Sequence, residues 1–233
     1  MDVFFFVLQI LGTIGFSVSG AMVAIRRETD IAGVVILALT TTFGGGIMRD
    51  LCISSAPPRF FTMYTEIAVS VATALLVFFL ARHYKEKYLE KEGALLAVDN
   101  VFDAIGIGVF AVIGTEIALD AGHTAPLLAI LMGTVSGVGG GVVRDVLVRD
   151  IPFILKKRIY VVAVLAGATV YYLLWLFGAP DMLSLSVGAA TVFTLRMLAT
   201  VFKWNLPKAI VFSSLRPEEK KKPSSDEKNK KVS

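Results

Sequence analysis

The same eight-residue pattern occurs twice in this chain, as FGGGIMRD at residues 43–50 and as VGGGVVRD at residues 138–145. Each copy places three consecutive glycines before an arginine and an aspartate. In a helix each glycine costs about 1 kcal/mol relative to alanine, and charged side chains resist burial among apolar groups. Two copies of so unfavourable a pattern indicate a specific structural or functional role.

The patterns lie in a strongly apolar chain. Of its 233 residues, 55% are hydrophobic and 18% are charged, and the mean hydropathy is +0.72. A helix needs about 20 mainly apolar residues to cross a bilayer. Seven segments meet this requirement: residues 3–25, 31–53, 62–81, 97–119, 124–147, 159–177 and 182–202. The first is too long for the core of a signal peptide, so we expect a retained span. The sequence predicts an all-α membrane protein with seven transmembrane helices.

Arginine and lysine are distributed unevenly between the predicted loops. They are concentrated after the first, third and fifth spans, and a Lys-rich tail follows the seventh. The positive-inside rule therefore predicts that the N-terminus lies outside the cell and the C-terminus lies in the cytoplasm. Residues 205–233 are interpreted as a disordered, basic cytoplasmic tail, and we expect no nucleic-acid partner.

The two patterns belong to an internal repeat. A shift of 95 residues superposes the glycine triplets and the Arg-Asp pairs, and a shift of 94 aligns Gly12, Phe16 and Gly20 with Gly106, Phe110 and Gly114. Each copy contains three spans, and an odd number of crossings inverts the second copy in the membrane. We predict an inverted repeat of two three-helix bundles, residues 1–90 and 91–180, followed by a seventh helix in residues 181–204. Such repeats are typical of proteins that move solutes.

Two explanations of the glycine triplets are open at this level. Small residues allow helices to pack closely in membranes. Alternatively, the triplets kink or break the second and fifth spans, whose freed carbonyl groups then line a cavity. Three glycines in a row favour the second explanation. The predicted pore-lining and hinge residues are Gly44, Gly45, Gly46, Gly139, Gly140, Gly141, Thr41, Thr42 and Ser136.

Charged residues accompany the triplets, namely Arg49, Asp50, Arg144, Asp145, Asp99 and Asp103. A charge at the bilayer centre costs roughly 2.5–3.5 kcal/mol, so we expect these groups to pair or to reach water. They are interpreted either as charged pore mouths, one on each side of the membrane, or as paired interface residues. Asp99 and Asp103 share a helix face and are expected at a wet entrance that attracts cations, unless Asp99 caps its helix. Arg196 requires a partner that the sequence does not identify.

Motifs for catalysis and for cofactor binding are absent from the sequence. It contains no nucleophile elbow, no phosphate-binding loop and no HExxH, and Cys52 is its only cysteine. We therefore expect neither an enzyme nor a metal or cofactor site.

Two GGGxxRD motifs in the second and fifth of seven spans, each followed by a proline, resemble the prokaryotic members of the TRIC family of trimeric intracellular cation channels. The resemblance covers residues 4–202. It implies a homotrimer in a prokaryotic plasma membrane, surrounded by lipid, with a pore in each protomer between the kinked second and fifth spans. The pore is expected to pass potassium and other monovalent cations. Similar sequences have also been labelled glycine transporters, so a secondary carrier for a small amino acid is the alternative. The repeat disfavours a receptor or a scaffold.

Overall fold

The computed structural model describes residues 3–84, 92–156, 159–202 and 204. Seven long helices lie in these residues: α1 (Val3–Arg26), α2 (Ile31–Cys52), α3 (Tyr64–His83), α4 (Glu92–Asp120), α5 (Pro126–Leu147), α6 (Ile159–Leu176) and α7 (Asp181–Val201). A 3₁₀ turn (Arg59–Thr62) precedes α3, and a one-turn helix (Phe153–Lys156) precedes α6. All seven long helices are apolar and long enough to cross a membrane. The predicted fold class is thereby confirmed, whereas the predicted tail, residues 205–233, lies outside the described residues.

Helices α2 and α5, which contain the glycine triplets, lie at the centre of the molecule. Helices α1, α2, α4 and α5 contact one another, α3 packs on α1 and α2, and α6 and α7 pack on the other flank. Helices α1, α3, α5 and α7 begin at one face, which we call the N-face, and the other three begin at the opposite C-face. Arg26 at the end of α1 bonds Asp99 in the first half of α4 at 2.6 Å, as this arrangement requires.

The inverted repeat is visible in contacts between equivalent residues. Phe16 of α1 and Phe110 of α4, which the 94-residue shift aligns, stack with ring centroids 5.3 Å apart and an interplanar angle of 10°. A residue that contacts its own equivalent lies close to the pseudo-twofold axis. The predicted inverted repeat with an additional seventh helix is therefore confirmed, while the boundaries at residues 90 and 180 stay a prediction.

Helices α2 and α5 also end in the same way. Ser54 and Arg149 both follow the helix with positive φ, 58° and 54°. In each case the next amide donates to the carbonyl of the motif aspartate, Asp50 or Asp145, at 2.8 Å. A left-handed residue and this long-range bond are characteristic of helix C-termini. The repeated ending holds each Arg-Asp pair in the last turn of its helix.

Helix α3 contributes a narrow buried stripe to the bundle. Its buried residues are Glu66, Ser70 and Ala74, spaced one turn apart. Spacing of four residues places all three on one side of the helix. Because two of them are polar, the interface of α3 with α1 and α2 is polar near the N-face.

Candidate functional site

The glycine triplets lie where α2 crosses α5. A Cβ atom added to Gly45 would overlap the carbonyl oxygen of Ser136, and one added to Gly140 would overlap the carbonyl oxygen of Thr41. The 95-residue shift exchanges these two contacts, so they are equivalent contacts related by the repeat. Glycine is required at both positions because backbone there touches backbone.

The predicted break in the second and fifth spans is wrong, because both helices continue without interruption through residues 44–46 and 139–141. The missing Cβ atoms do not release carbonyl groups at this crossing; they allow the two helix backbones to approach. Close packing, the other explanation, accounts for the central glycines of both triplets. A kink or a hinge at these positions stays a prediction.

The last glycine of each triplet has a different environment. A Cβ atom on Gly46 would lie 3.7 Å from Nη2 of Arg49, and one on Gly141 would lie 3.7 Å from Nη2 of Arg144. A separation of 3.7 Å is ordinary van der Waals contact, so the arginine does not require glycine at either position. A Cβ atom on Gly141 would also lie 3.3 Å from the hydroxyl oxygen of Tyr160, which is a tighter contact.

At the N-face the motif charges form a buried pair. The Nε and Nη2 atoms of Arg49 donate to Oδ1 of Asp50 at 3.0 and 2.7 Å, and Nη1 donates to Oγ of Ser136 at 3.1 Å. The other carboxylate oxygen of Asp50 accepts from the backbone amide of Arg59 at 2.8 Å. The pair is neutral and well hydrogen-bonded, which is the condition for burying opposite charges.

The equivalent pair near the C-face has the same geometry. Arg144 donates through Nε to Oδ1 of Asp145 at 2.9 Å, and Oδ2 of Asp145 accepts from the amide of Phe153 at 2.9 Å. Its Nη1 atom donates to Oγ of Ser19 on α1 at 3.0 Å. The guanidinium also lies 5.4 Å from the ring centroid of Phe153. The Arg144 side chain is completely buried.

Asp99 does not lie at an open entrance. It is 3% exposed and accepts from Ser19 at 2.7 Å and from Arg26 at 2.6 Å. Since α4 begins at Glu92, a full turn and more before this residue, Asp99 does not cap the helix either. The second difference arises because α4 extends further towards its N-terminus than the apolar segment indicated.

Asp103 is the partner of Arg196. Its Oδ2 atom accepts from Nη2 of Arg196 at 3.1 Å, and its Oδ1 atom lies 3.8 Å from Nη1 of Arg144. Tyr160 donates to Oδ1 at 3.5 Å, and the guanidinium of Arg196 lies 4.3 Å from the centroid of the Tyr160 ring. With Asp99 and Arg26 these residues form the C-face network. Its carboxylates are neutralised by arginines from three helices, unlike the cation-attracting entrance expected from the sequence.

A cavity of about 190 Å³ lies at the N-face between α1, α2, α3 and α4, and we call it the N-face cavity. Among the predicted site residues, its lining includes Thr42, Gly46, Arg49 and Asp50; it also includes Gln9, Met63 and Glu66. Neither Gln9 nor Glu66 was predicted from the sequence to be a site residue.

A polar stripe on α1 extends from the cavity into the bundle. Gln9, Thr13 and Ser17 recur every fourth residue and are all buried. Ser17 Oγ lies 3.1 Å from Oγ1 of Thr42 and donates to Oγ of Ser70 at 2.8 Å. This four-residue spacing in an otherwise apolar span is a signal that the sequence contains.

Comparison with known proteins identifies the fold. The family model described as Glycine transporter matches residues 6–82 and again residues 100–176, a displacement of 94 residues at both ends. A solved structure of the TRIC trimeric intracellular cation channel orthologue from Rhodobacter sphaeroides superposes with a TM-score of 0.77. It is 35% identical and covers 87% of this chain and 100% of that one. The chain belongs to the TRIC family.

Further TRIC-like proteins agree with this assignment. A solved prokaryotic TRIC channel in 0.5 M KCl has a TM-score of 0.79 and 32% identity, covering 88% of this chain and 100% of its own. The UPF0126 inner membrane protein YadS of Escherichia coli K12 is 35% identical over 203 residues, 85% of this chain and 92% of its length. YvgT of Bacillus subtilis is 34% identical over 86% of this chain and 94% of its own length. The predicted resemblance to prokaryotic TRIC proteins is confirmed.

Proposed function

We propose that this chain is a cation channel with a preference for potassium and with one pore inside each protomer. The N-face cavity carries the proposal, because it opens beside α2 and leads to the polar stripe of α1. Solved relatives with the same fold are described as cation channels, which supports cation conduction. Hydroxyl and carbonyl oxygens along such a route replace part of the hydration shell of a cation.

Two parts of the route are closed in the structure. Gly45 and Gly140 bring α2 and α5 into backbone contact, and the C-face network packs Arg144 against Asp103. We infer that conduction requires α2 and α5 to separate at the glycine crossing, with the triplets as hinges. A membrane potential of 100 mV supplies about 2.3 kcal/mol per unit charge, so an open path needs no coupled energy source.

The channel function is testable with the purified full-length chain in a planar bilayer. We expect discrete single-channel currents in KCl and, under a potassium/sodium gradient, a reversal potential displaced towards the potassium equilibrium potential. The matched control is a preparation inactivated by heat. The fraction to record from is the one whose mass equals three chains, because we propose a homotrimer in a prokaryotic plasma membrane.

The alternative is a secondary carrier for a small amino acid, which the description Glycine transporter of the matching family model favours. A carrier with this repeat alternates access to a central site and shows no discrete conductance. Saturable uptake of glycine into liposomes, together with silent bilayers, would establish the carrier and refute the channel.

The proposed orientation, with the N-face outside, is testable through Cys52. This cysteine is exposed at the end of α2, which lies at the N-face. We expect a membrane-impermeant maleimide to label it in intact spheroplasts. The control is Glu28→Cys in a Cys52→Ser chain, because Glu28 follows α1 at the C-face and is exposed. Labelling of Glu28→Cys without labelling of Cys52 would show that the N-face lies in the cytoplasm, opposite to the proposed orientation.

A further inference from the structure

At two pairs of equivalent positions, the two halves of the chain carry side chains of different charge or polarity. The 94-residue shift that relates the family matches places Gln9 on Asp103 and Glu66 on Tyr160. Asp103 and Tyr160 lie in the C-face network beside Arg144, whereas Gln9 and Glu66 line the N-face cavity beside Arg49. The cavity therefore lies at the position in the first half that corresponds to the surroundings of Asp103 in the second half.

In the second half, a positively charged side chain of the protein occupies this position. Arg196 reaches in from α7, bonds Asp103 at 3.1 Å and covers the ring of Tyr160 at 4.3 Å. It is only 2% exposed. Helix α7 follows the repeat and packs on α4 and α6 of the second half. Among the described residues no further helix packs on α1 and α3 in the corresponding way, so no counterpart of Arg196 lies there.

The N-face cavity contains hydrogen-bond acceptors that have no donor among the described residues. Oε1 of Gln9 is fully buried and has no hydrogen-bond partner among the described residues. Glu66 is 7% exposed, and its carboxylate makes no hydrogen bond or ion pair within the part of the chain that the structure describes. Burying the Gln9 oxygen without a hydrogen-bond partner is unfavourable. Both side chains line the same cavity of about 190 Å³.

The remaining charges at the cavity leave the Glu66 carboxylate uncompensated. Arg49 is neutralised by Asp50 through two hydrogen bonds. Arg59, whose side chain lies at the rim of the cavity, is exposed to solvent, where its charge is screened. No group of three or more His, Cys, Asp or Glu side chains that could hold a metal ion occurs among the described residues. The Glu66 carboxylate carries one negative charge and the Gln9 amide oxygen is neutral, so together they are suited to binding a cation with a single positive charge.

We propose that the N-face cavity binds a small monovalent cation, an alkali metal ion or a primary ammonium group, between the carboxylate of Glu66 and Oε1 of Gln9. The bound cation takes the place that Arg196 occupies in the second half. This inference deepens the proposed conduction, on which its role as the outer binding site of a pore rests. Binding itself needs no flux, so it is tested separately.

The test measures binding to the purified full-length chain in detergent, with N-methyl-D-glucamine chloride as the reference salt at equal ionic strength. Thermal unfolding is followed against increasing KCl, NaCl, methylammonium chloride and glycine. We expect at least one of these to raise the unfolding temperature of the wild type saturably, since a ligand of the native state stabilises it. Stabilisation by potassium or sodium identifies an alkali-ion site, and stabilisation by methylammonium or glycine alone identifies an ammonium site.

Two variants assign the effect to the cavity. Glu66→Gln is expected to raise the apparent Kd about tenfold or more, because it removes a charged acceptor while keeping the side-chain shape. Gln9→Leu is the second variant, used also if Glu66→Gln does not fold, and it should weaken binding as well. Asp120→Asn removes an exposed carboxylate at the same face and should bind like the wild type. Absence of any stabilisation, or an unchanged Kd in the cavity variants, would overturn the site even if the bilayer shows potassium currents.

Discussion

Replacing Gly140 with alanine is expected to lower the stability of the protein by about 3 kcal/mol or more, near or above the upper end of the usual range for overpacking. The added Cβ atom would overlap the carbonyl oxygen of Thr41 in α2, and a backbone atom has no rotamer through which to move away. A chain of this size should then unfold roughly 6–12 °C lower. The measurement is thermal unfolding in detergent, followed by circular dichroism.

Gly46→Ala is the matched control within the equivalent triplet. Its Cβ atom would meet only the far end of a flexible side chain, Nη2 of Arg49 at 3.7 Å. Because alanine favours helix more than glycine, this variant should be at least as stable as the wild type. Equal unfolding temperatures for Gly140→Ala and the wild type would show that the crossing is looser than described, and would favour a hinge without a packing role.

Replacing Asp103 with leucine is expected to destabilise the protein by about 3–5 kcal/mol, the usual cost of leaving a buried charge without its partner. Arg196 is 2% exposed and bonds Asp103 at 3.1 Å, and Arg144 lies close to the same carboxylate. Removal of the carboxylate leaves the Arg196 guanidinium with uncompensated charge, whereas Arg144 keeps its ion pair with Asp145. We expect a large loss of folded, monodisperse protein and a lower unfolding temperature.

A double variant separates lost pairing from lost packing. Arg196→Met in the Asp103→Leu chain removes the stranded charge, and it should recover part of the stability, as apolar replacements of buried ion pairs often do. Asp150→Asn serves as the control at a half-buried surface position. Its ion pair with Arg27, at 2.7 Å, lies at the surface and should contribute about 1 kcal/mol or less. If Asp103→Leu matched Asp150→Asn, the C-face network would contribute little to stability.

The glycine triplets show where reasoning from sequence reached its limit. Their cost and their repetition correctly indicated a special role, but cavity-lining breaks and close packing fit the same letters. The choice between them depends on what lies opposite Gly45 and Gly140. The residues opposite, Ser136 and Thr41, are 91 and 99 positions away in the chain, so no local pattern contains the answer.

The partners of the buried charges were equally beyond local pattern. Arg196 was recognised as needing a partner, yet Asp103 lies 93 positions earlier and on another helix. Glu66 lies in the first turn of α3. Its participation in a cavity with Gln9 depends on how α1, α2, α3 and α4 pack around it.

Length and hydropathy were sufficient to predict seven spans, because each helix satisfies its own backbone hydrogen bonds and needs only enough apolar length to cross the bilayer. The 94–95-residue repeat was sufficient to predict inversion, because that follows from counting crossings. Packing added the crossing of α2 with α5, the ion pairs of the C-face network and the N-face cavity. Each of these depends on distances between atoms of different helices. The difference between the two halves becomes visible only where α7 inserts Arg196, for which the described residues of the first half have no equivalent.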